Sequence, residues 1–345
     1  MNLSRAALGR GLPVLAASAL ILGACGTTTG DGGNATADPT ANGDGGVSGS
    51  VFVSGSSTVE PITALIAESF RDENPGFDFT VEGPGTGDGF ALFCNGETDI
   101  SDASRPIRDS EAEACADAGI EYTEILVAYD GLAVITSAQN EAVSCLSFAD
   151  LYALLGPESQ GFGTWSDANG LAAELPDGYG DVHAPYPDAE LIVTAPGEES
   201  GTFDSFVEIV IGDLAEERGQ DETTRPDYVA SANDNVIIEG ITGTPTSLGW
   251  VGLAFASENA DTVKILEVDG GDGCVAPSDE TVVNESYPIA RPLFIYVNNT
   301  RAEQNPAVAA FVDYYVENLD AAGEVGYVNL SDEEMATSQA TWQGR

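Results

Sequence analysis

Three times this chain passes from a short apolar segment into a loop of hydroxyls and glycines, and from there directly into a helical pattern. The loops are residues 55–58, 85–89 and 199–202, following apolar segments at 51–54, 77–81 and 190–194. Strands that alternate with helices in this way specify an α/β fold, in which such loops gather at the carboxyl ends of the strands. Each helix start also leaves backbone N–H groups unpaired at the positive end of its dipole, an arrangement that suits a small anion. The third loop is the richest. Ser200 stands at the N-cap position, and Phe203, Phe206, Val207, Val210 and Ile211 follow on one face. Gly201 permits close approach of a ligand to the backbone, and Thr202 adds a second hydroxyl.

The remaining elements fit the same plan. Pro61 opens a first helix that buries Ile62, Leu65, Ile66 and Phe70. The second loop lacks the Lys-Ser/Thr ending of a P-loop and does not match G-x-G-x-x-G, which argues against a nucleotide site. A third strand at 99–103 leads into Ser104-Arg105-Pro106, followed by a helix capped near Ser110 with Glu113 in capping-box position. Residues 122–136 hold two apolar runs around Asp130-Gly131 and are expected to cross into a second lobe. Ser147 caps a helix through Leu151, Leu154 and Leu155, and the Gly/Pro/Asp-rich stretch 156–188 reads as a long loop. A short helix is expected at 236–241, strands at 250–255 and 263–268, and a returning strand at 291–297. Asn305-Pro306 opens a helix through Phe311, Tyr315 and Leu319, and Ser331 with Glu334 boxes the last one.

The first 24 residues read as a secretory signal peptide: Arg5 and Arg10, an apolar run from Leu12 to Leu22 too short to span a bilayer, then Gly23-Ala24-Cys25. Leu22-Gly23-Ala24-Cys25 resembles a bacterial lipobox, so Cys25 is the expected lipidation site, and residues 25–49 read as a lipid-anchored flexible tether. The protein is thus expected outside the cytoplasm, anchored to the cell membrane at the surface or in the periplasm. Four further cysteines in an oxidising compartment imply two disulfides. Of three possible pairings the expected one is Cys94–Cys115, which closes a short loop, with Cys145–Cys274. No CxxC or HxxxH spacing supports a metal site, and no cofactor is expected.

Charge excludes further classes. The chain carries 57 acidic residues against 11 basic, and Lys264 is its only lysine. A nucleic-acid or anionic-membrane surface is incompatible with that balance, which suits a salty medium that screens self-repulsion. Arg105 is one of only nine positive side chains left once Arg5 and Arg10 are set aside from the 11. N–H and O–H donors converging on one guanidinium would hold a tetrahedral oxyanion.

Taken in order, several stretches together resemble the substrate-binding proteins of phosphate ABC importers, the PstS-type family. They are residues 54–59, 85–107, 128–134, 199–203 and 291–297. The resemblance runs from Val51 to about Leu330 and implies a two-lobed periplasmic-binding-protein fold of type II. Each lobe would be a mixed sheet flanked by helices, joined by two hinge strands and closing on dehydrated phosphate, with a permease as partner. Residues 50–130 plus 290–345 would form lobe 1, and 131–289 lobe 2. Carried over by position, Ser56, Ser57, Thr58 and Val59 supply first-loop donors. Thr86 and Gly87 belong to the glycine loop, and Ser200, Gly201 and Thr202 form the helix start. Two positions depart from the best-known members. Pro196 stands where they have an arginine, and Ser104 where they have an aspartate. Arg105 is the expected source of positive charge, with Asp234 a possible orienting partner. Asp130 is the expected acceptor for the proton of hydrogen phosphate, with Asp102 and Asp234 as alternatives. Such a carboxylate discriminates against fully deprotonated sulfate.

The resemblance implies a binding protein, a monomer and not an enzyme. The alternatives are a carrier of molybdate or sulfate on the same fold, or a phosphate-ester hydrolase. A serine hydrolase needs a base, yet the single His183 lies in the 156–188 loop and no G-x-S-x-G occurs. A phosphatase would need a metal cluster, which here only carboxylates offer.

Overall fold

The computed structural model describes residues 46–198 and 200–345. The signal peptide, Cys25, most of the tether and Glu199 lie outside the described residues. Among the described residues no helix is long and apolar enough to cross a membrane.

The first three strands are β1 (Ser48–Gly55), β2 (Gly76–Glu82) and β3 (Ile100–Ala103), parallel in the order β2-β1-β3. Parallel neighbours need crossovers, and helices α1 (Glu60–Glu73) and α2 (Thr86–Cys94) provide them. α1 buries Ile62, Ile66, Ala67 and Phe70 against one face of the sheet. On the other face, Phe90 and Phe93 of α2 pack with Phe294 and Tyr296, together with Cys115 of α3 (Asp109–Asp117). Close approach of α2 to β1 demands glycine: a Cβ on Gly89 would stand 2.4 Å from the Gly55 Cα, and one on Gly55 would stand 2.0 Å from the Asp102 carbonyl oxygen.

β4 (Tyr122–Ser137) is a single 16-residue strand that serves two neighbourhoods. Up to Gly131 it pairs antiparallel with β12 (Ala290–Asn298), and β12 also pairs antiparallel with β3. From Leu132 onward its partners are β8 (Leu248–Gly252) and β9 (Val263–Ile265). The sequence follows this change. Residues 122–126 mix buried and exposed positions, whereas every residue from Val127 to Ser137 is buried, as expected of a strand covered on both faces. The fold is therefore two-lobed α/β, with β4 and β12 as the strands that run between lobes. The second lobe adds β5 (Cys145–Ser147), α4 (Phe148–Leu155), α5 (Asn169–Ala172), β6 (Thr194–Ala195) and α6 (Gly201–Phe206). β7 (Val229–Ala230) pairs with β6, and β10 (Glu267–Asp269) joins β5 and β11 (Cys274–Val275) in a three-stranded sheet.

Both expected disulfides are present. Cys94–Cys115 ties α2 to α3, and Cys145–Cys274 ties β5 to β11, so each stays on one side of the crossing strands. Several expected elements differ. The 250–255 strand ends at Gly252, after which Leu253–Glu258 is helical, since Leu, Ala and Glu favour a helix once the ladder stops. The 263–268 strand breaks at Leu266 into β9 and β10, which belong to different sheets. The 190–194 strand shrinks to β6, with isolated bridges at Thr164–Glu190 and Val193–Leu248 before it. α3 begins at Asp109, and its reciprocal carboxylate is Glu111, whose Oε2 accepts the Arg108 N–H at 2.9 Å, in place of Glu113.

Asp102 is fully buried behind the first loop. Its carbonyl accepts the Ser56 N–H, its Oδ1 accepts the Thr63 hydroxyl at 3.0 Å, and its Oδ2 has no partner. Burial pushes its pKa up to about 8, against the Thr63 hydrogen bond and with help from Glu60. A carboxyl that binds its proton more tightly in the folded state stabilises the fold below the ordinary carboxylate pKa and loses that contribution as pH rises toward 8. Asp102→Asn should therefore change thermal stability little at pH 4 and raise it at pH 8. Thermal denaturation at both pH values checks this, and equal shifts would show that Asp102 ionises normally.

Candidate functional site

Where β1, α2 and β3 meet the second lobe, a cavity of about 230 Å³ opens. Ser56, Ser57 and Thr58 line it from the first loop, residues 83–86 from the second, and Ser104 from the third. Asp204 and Glu208 line it from the opposite lobe. Of the three loops singled out in the sequence, 55–58 and 85–89 thus converge, joined by Ser104 from the end of β3, whereas residues 200–202 do not line the cavity. Both α1 and α2 begin beside this cavity, and at the start of α1 the Val59 and Glu60 N–H groups are taken by the Ser56 carbonyl. The hydroxyls are held by one another: Thr86 Oγ1 lies 3.0 Å from Ser104 Oγ and accepts the Ser104 N–H at 3.2 Å, while Ser56 Oγ accepts the Thr58 N–H. Val59 forms the α1 N-cap and is fully buried.

The guanidinium that contacts the lining residues Thr58 and Glu208 is that of Arg291, which does not itself line the cavity. It sits near the start of β12, in register with Asp130 on β4, where the two strands run between lobes. The residue is only 8% exposed. Its NH2 donates to Thr58 Oγ1 at 3.0 Å and to Ser205 Oγ at 2.8 Å, its NH1 to Glu208 Oε2 at 2.5 Å, and its Nε lies 3.5 Å from Asp130 Oδ2. One side chain therefore touches the first loop, the crossing strand and the helical segment of the other lobe. Glu208 reaches it from a π turn (Val207–Ile211) that continues α6, a distortion frequent at functional sites. Asp130 is buried behind Arg291. Burial raises its carboxyl above the usual range, opposed by the Arg291 charge and by Ser205.

Arg105 is placed differently from the sequence expectation. Its guanidinium forms a two-pronged pair with Glu111, both bonds 2.8 Å, and lies over the Phe90 ring, and the residue does not line the cavity. Its partner is Glu111, not Asp234. Ser200, Gly201 and Thr202 stand beside the first loop without lining the cavity: a Cβ on Gly201 would come within 3.1 Å of the Ser57 carbonyl oxygen, and Ser200 Oγ caps the helix by accepting the Thr202 N–H. One turn further, Asp204 Oδ2 accepts the Ser57 hydroxyl at 2.6 Å, and Ser205 Oγ lies 3.1 Å from Thr58 Oγ1. Gly87 belongs to the first turn of α2, next to the lining residues. Sequence reasoning passed over Arg291 because an arginine opening an apolar strand looks like a strand end. Its signal was the pairing of two charged residues, Asp130 and Arg291, at the two crossing points of otherwise apolar strands.

Removing one member of a buried ion pair strands the other. Arg291→Met should destabilise the protein by about 3–5 kcal/mol, read from urea denaturation. Adding Asp130→Asn should recover part of that loss, and a double variant no more stable than the single one would show that the loss arises elsewhere.

The model of the PBP superfamily domain matches residues 40–318. Protein SphX of Synechocystis is 38% identical over 286 residues, covering 82% of this chain and 79% of that protein. The phosphate-binding protein PstS of Staphylococcus aureus is 30% identical over 313 residues, covering 90% of this chain and 84% of that protein. Among solved structures, a possible phosphate binding protein from Planctomyces limnophilus has 32% identity and a TM-score of 0.77, covering 86% of this chain and 99% of its own. A two-lobed chain matched over this length belongs to the PBP superfamily.

Proposed function

We propose that this chain binds inorganic phosphate outside the cytoplasm and delivers it to an ABC permease by closing its lobes. The observation that carries this reading is Arg291: a nearly buried guanidinium in contact with both lobes, beside a small cavity lined by hydroxyls and helix starts. Such a site holds a compact tetrahedral anion by charge-assisted hydrogen bonds and has little room for an organic ester. Relatives named as phosphate-binding proteins support the choice of anion. The lobes on this reading are residues 50–130 with 290–345, and 131–289, which agrees with the change of β4 partners after Gly131. Lipidation at Cys25 would tether a monomer to the membrane near its permease.

The contacts suggest how roles are divided. Ser56, Ser57, Thr58, Thr86 and Ser104 donate from the first lobe, with Arg291 neutralising charge. Glu208, whose side chain is 51% exposed, holds Arg291 without ligand and can swing into solvent when phosphate takes its place. Asp204 lines the cavity, unlike Asp130, and is the better acceptor for the proton of hydrogen phosphate. That acceptor would repel sulfate.

Calorimetric titration tests the assignment. Arg291→Lys keeps the charge but loses the planar fork, and should weaken phosphate binding about 100-fold. Arg105→Ala should stay within about threefold, because its charge is already spent on Glu111. Loss of binding in Arg105→Ala with normal binding in Arg291→Lys would return the charge to Arg105. Thr202→Val, which removes a hydroxyl that does not line the cavity, should leave affinity within about threefold as well. Separately, Asp204→Asn should narrow the preference for phosphate over sulfate, measured as the ratio of the two dissociation constants. An unchanged ratio would exclude Asp204 as the discriminating acceptor.

A further inference from the structure

The second lobe contains a larger cavity, of about 400 Å³, that the phosphate reading does not use. The disulfide partners Cys145 and Cys274, the only histidine and Glu267 line it. The two sulfurs and a ring nitrogen of His183 all lie within 4.8 Å of one another. His183 is not a casual neighbour. Its Nδ1 donates to Asp150 Oδ2 at 2.6 Å, and its backbone N–H donates to Asp150 Oδ1 at 2.9 Å. Asp150 is fully buried and is itself fixed by the Ser147 N–H and the Tyr186 hydroxyl. With Nδ1 engaged, Nε2 remains as the nitrogen open to a ligand.

A buried carboxylate that orients a histidine through one ring nitrogen is the arrangement that supports a metal on the other. Zinc takes thiolate sulfur at about 2.3 Å and imidazole nitrogen at about 2.0–2.1 Å in a tetrahedron. The backbones of Cys145 and Cys274, with Cα atoms 6.1 Å apart, sit on the two outer strands of one small sheet, on either side of β10. Glu267 pairs in register with Cys145 on the parallel neighbour, so its side chain shares that face and is available as a fourth ligand. No sequence motif announces this group, because its members come from positions 145, 183, 267 and 274 and meet only in the fold.

We propose that Cys145, Cys274 and His183 form a zinc site whenever the Cys145–Cys274 disulfide is reduced, with Glu267 or water completing the tetrahedron. A dithiol opens the bond by exchange: it is oxidised to its own disulfide, and Cys145 and Cys274 become thiols. Zinc then displaces the two thiol protons to solvent and binds both thiolates and Nε2. The lobe thus has two alternative staples at one place, a covalent one when oxidised and a metal one when reduced.

Cobalt(II) reports such a site through its thiolate charge-transfer absorption, and zinc through stability. The protein is used with Cys25→Ser, Cys94→Ser and Cys115→Ser introduced, so that only Cys145 and Cys274 remain, and is reduced with a dithiol that is removed before metal is added. One equivalent of cobalt should then give the charge-transfer band, while the oxidised protein gives none. His183→Gln should weaken cobalt binding at least about tenfold, with an unchanged far-ultraviolet circular dichroism spectrum. Zinc should raise the thermal midpoint of the reduced protein and leave that of reduced His183→Gln unchanged. Absence of the band in the reduced protein overturns the proposal. So does a band of equal affinity in His183→Gln, or a zinc-induced shift of the same size in both.

Discussion

The ion pair between Arg291 and Asp130 organises this molecule. Two long strands have to pass between the lobes side by side, and their register sets one acid opposite one base at the crossing. Burying either alone would cost several kcal/mol. Together they place a guanidinium at the one point reached by the first loop, the crossing strands and the α6 segment. Thr58 and Ser205 complete its donor geometry, and the hydroxyl of Thr58 faces both the guanidinium and the opposite lobe.

Around that charge the protein keeps a polarity opposite to its surface. With a formal net charge of −46, the chain would repel any anion at long range in dilute salt. Attraction has to be supplied locally, by helix starts, hydroxyls and one arginine, at distances over which the bulk charge is screened. The cost appears in the proposed site, where Asp204 and Glu208 already hold the Ser57 hydroxyl and the Arg291 guanidinium. Binding is then an exchange of one set of acceptors for another. Such an exchange favours a ligand that satisfies more donors at once than two separate carboxylates do.

Much of the fold was legible from local chemistry. Side-chain caps located the helix starts at Ser147, Ser200, Asn305 and Ser331, each of which accepts the hydrogen bond its position requires. The apolar run around Asp130-Gly131 marked the crossing strand, and the short loop closed by Cys94–Cys115 pointed to the pairing observed. Elements were misread where neighbours decide. Residues 263–268 look like one strand, yet their two halves join different sheets, and 253–258 continues an apolar pattern as helix.

The sequence by itself determined the alternation of strands and helices, the hydroxyl and glycine loops at their junctions, and the scarcity of positive charge, because these are properties of neighbouring residues and of composition. It did not determine which arginine meets the first loop. Arg105 lies beside the loops in sequence, but Glu111, six positions on and in the first turn of α3, takes its guanidinium. Arg291 is 233 residues from Thr58 and reaches it only because β12 returns antiparallel along β4. Pairing of strands remote in sequence depends on packing of the whole sheet, so tertiary structure alone decided which arginine contacts the first loop.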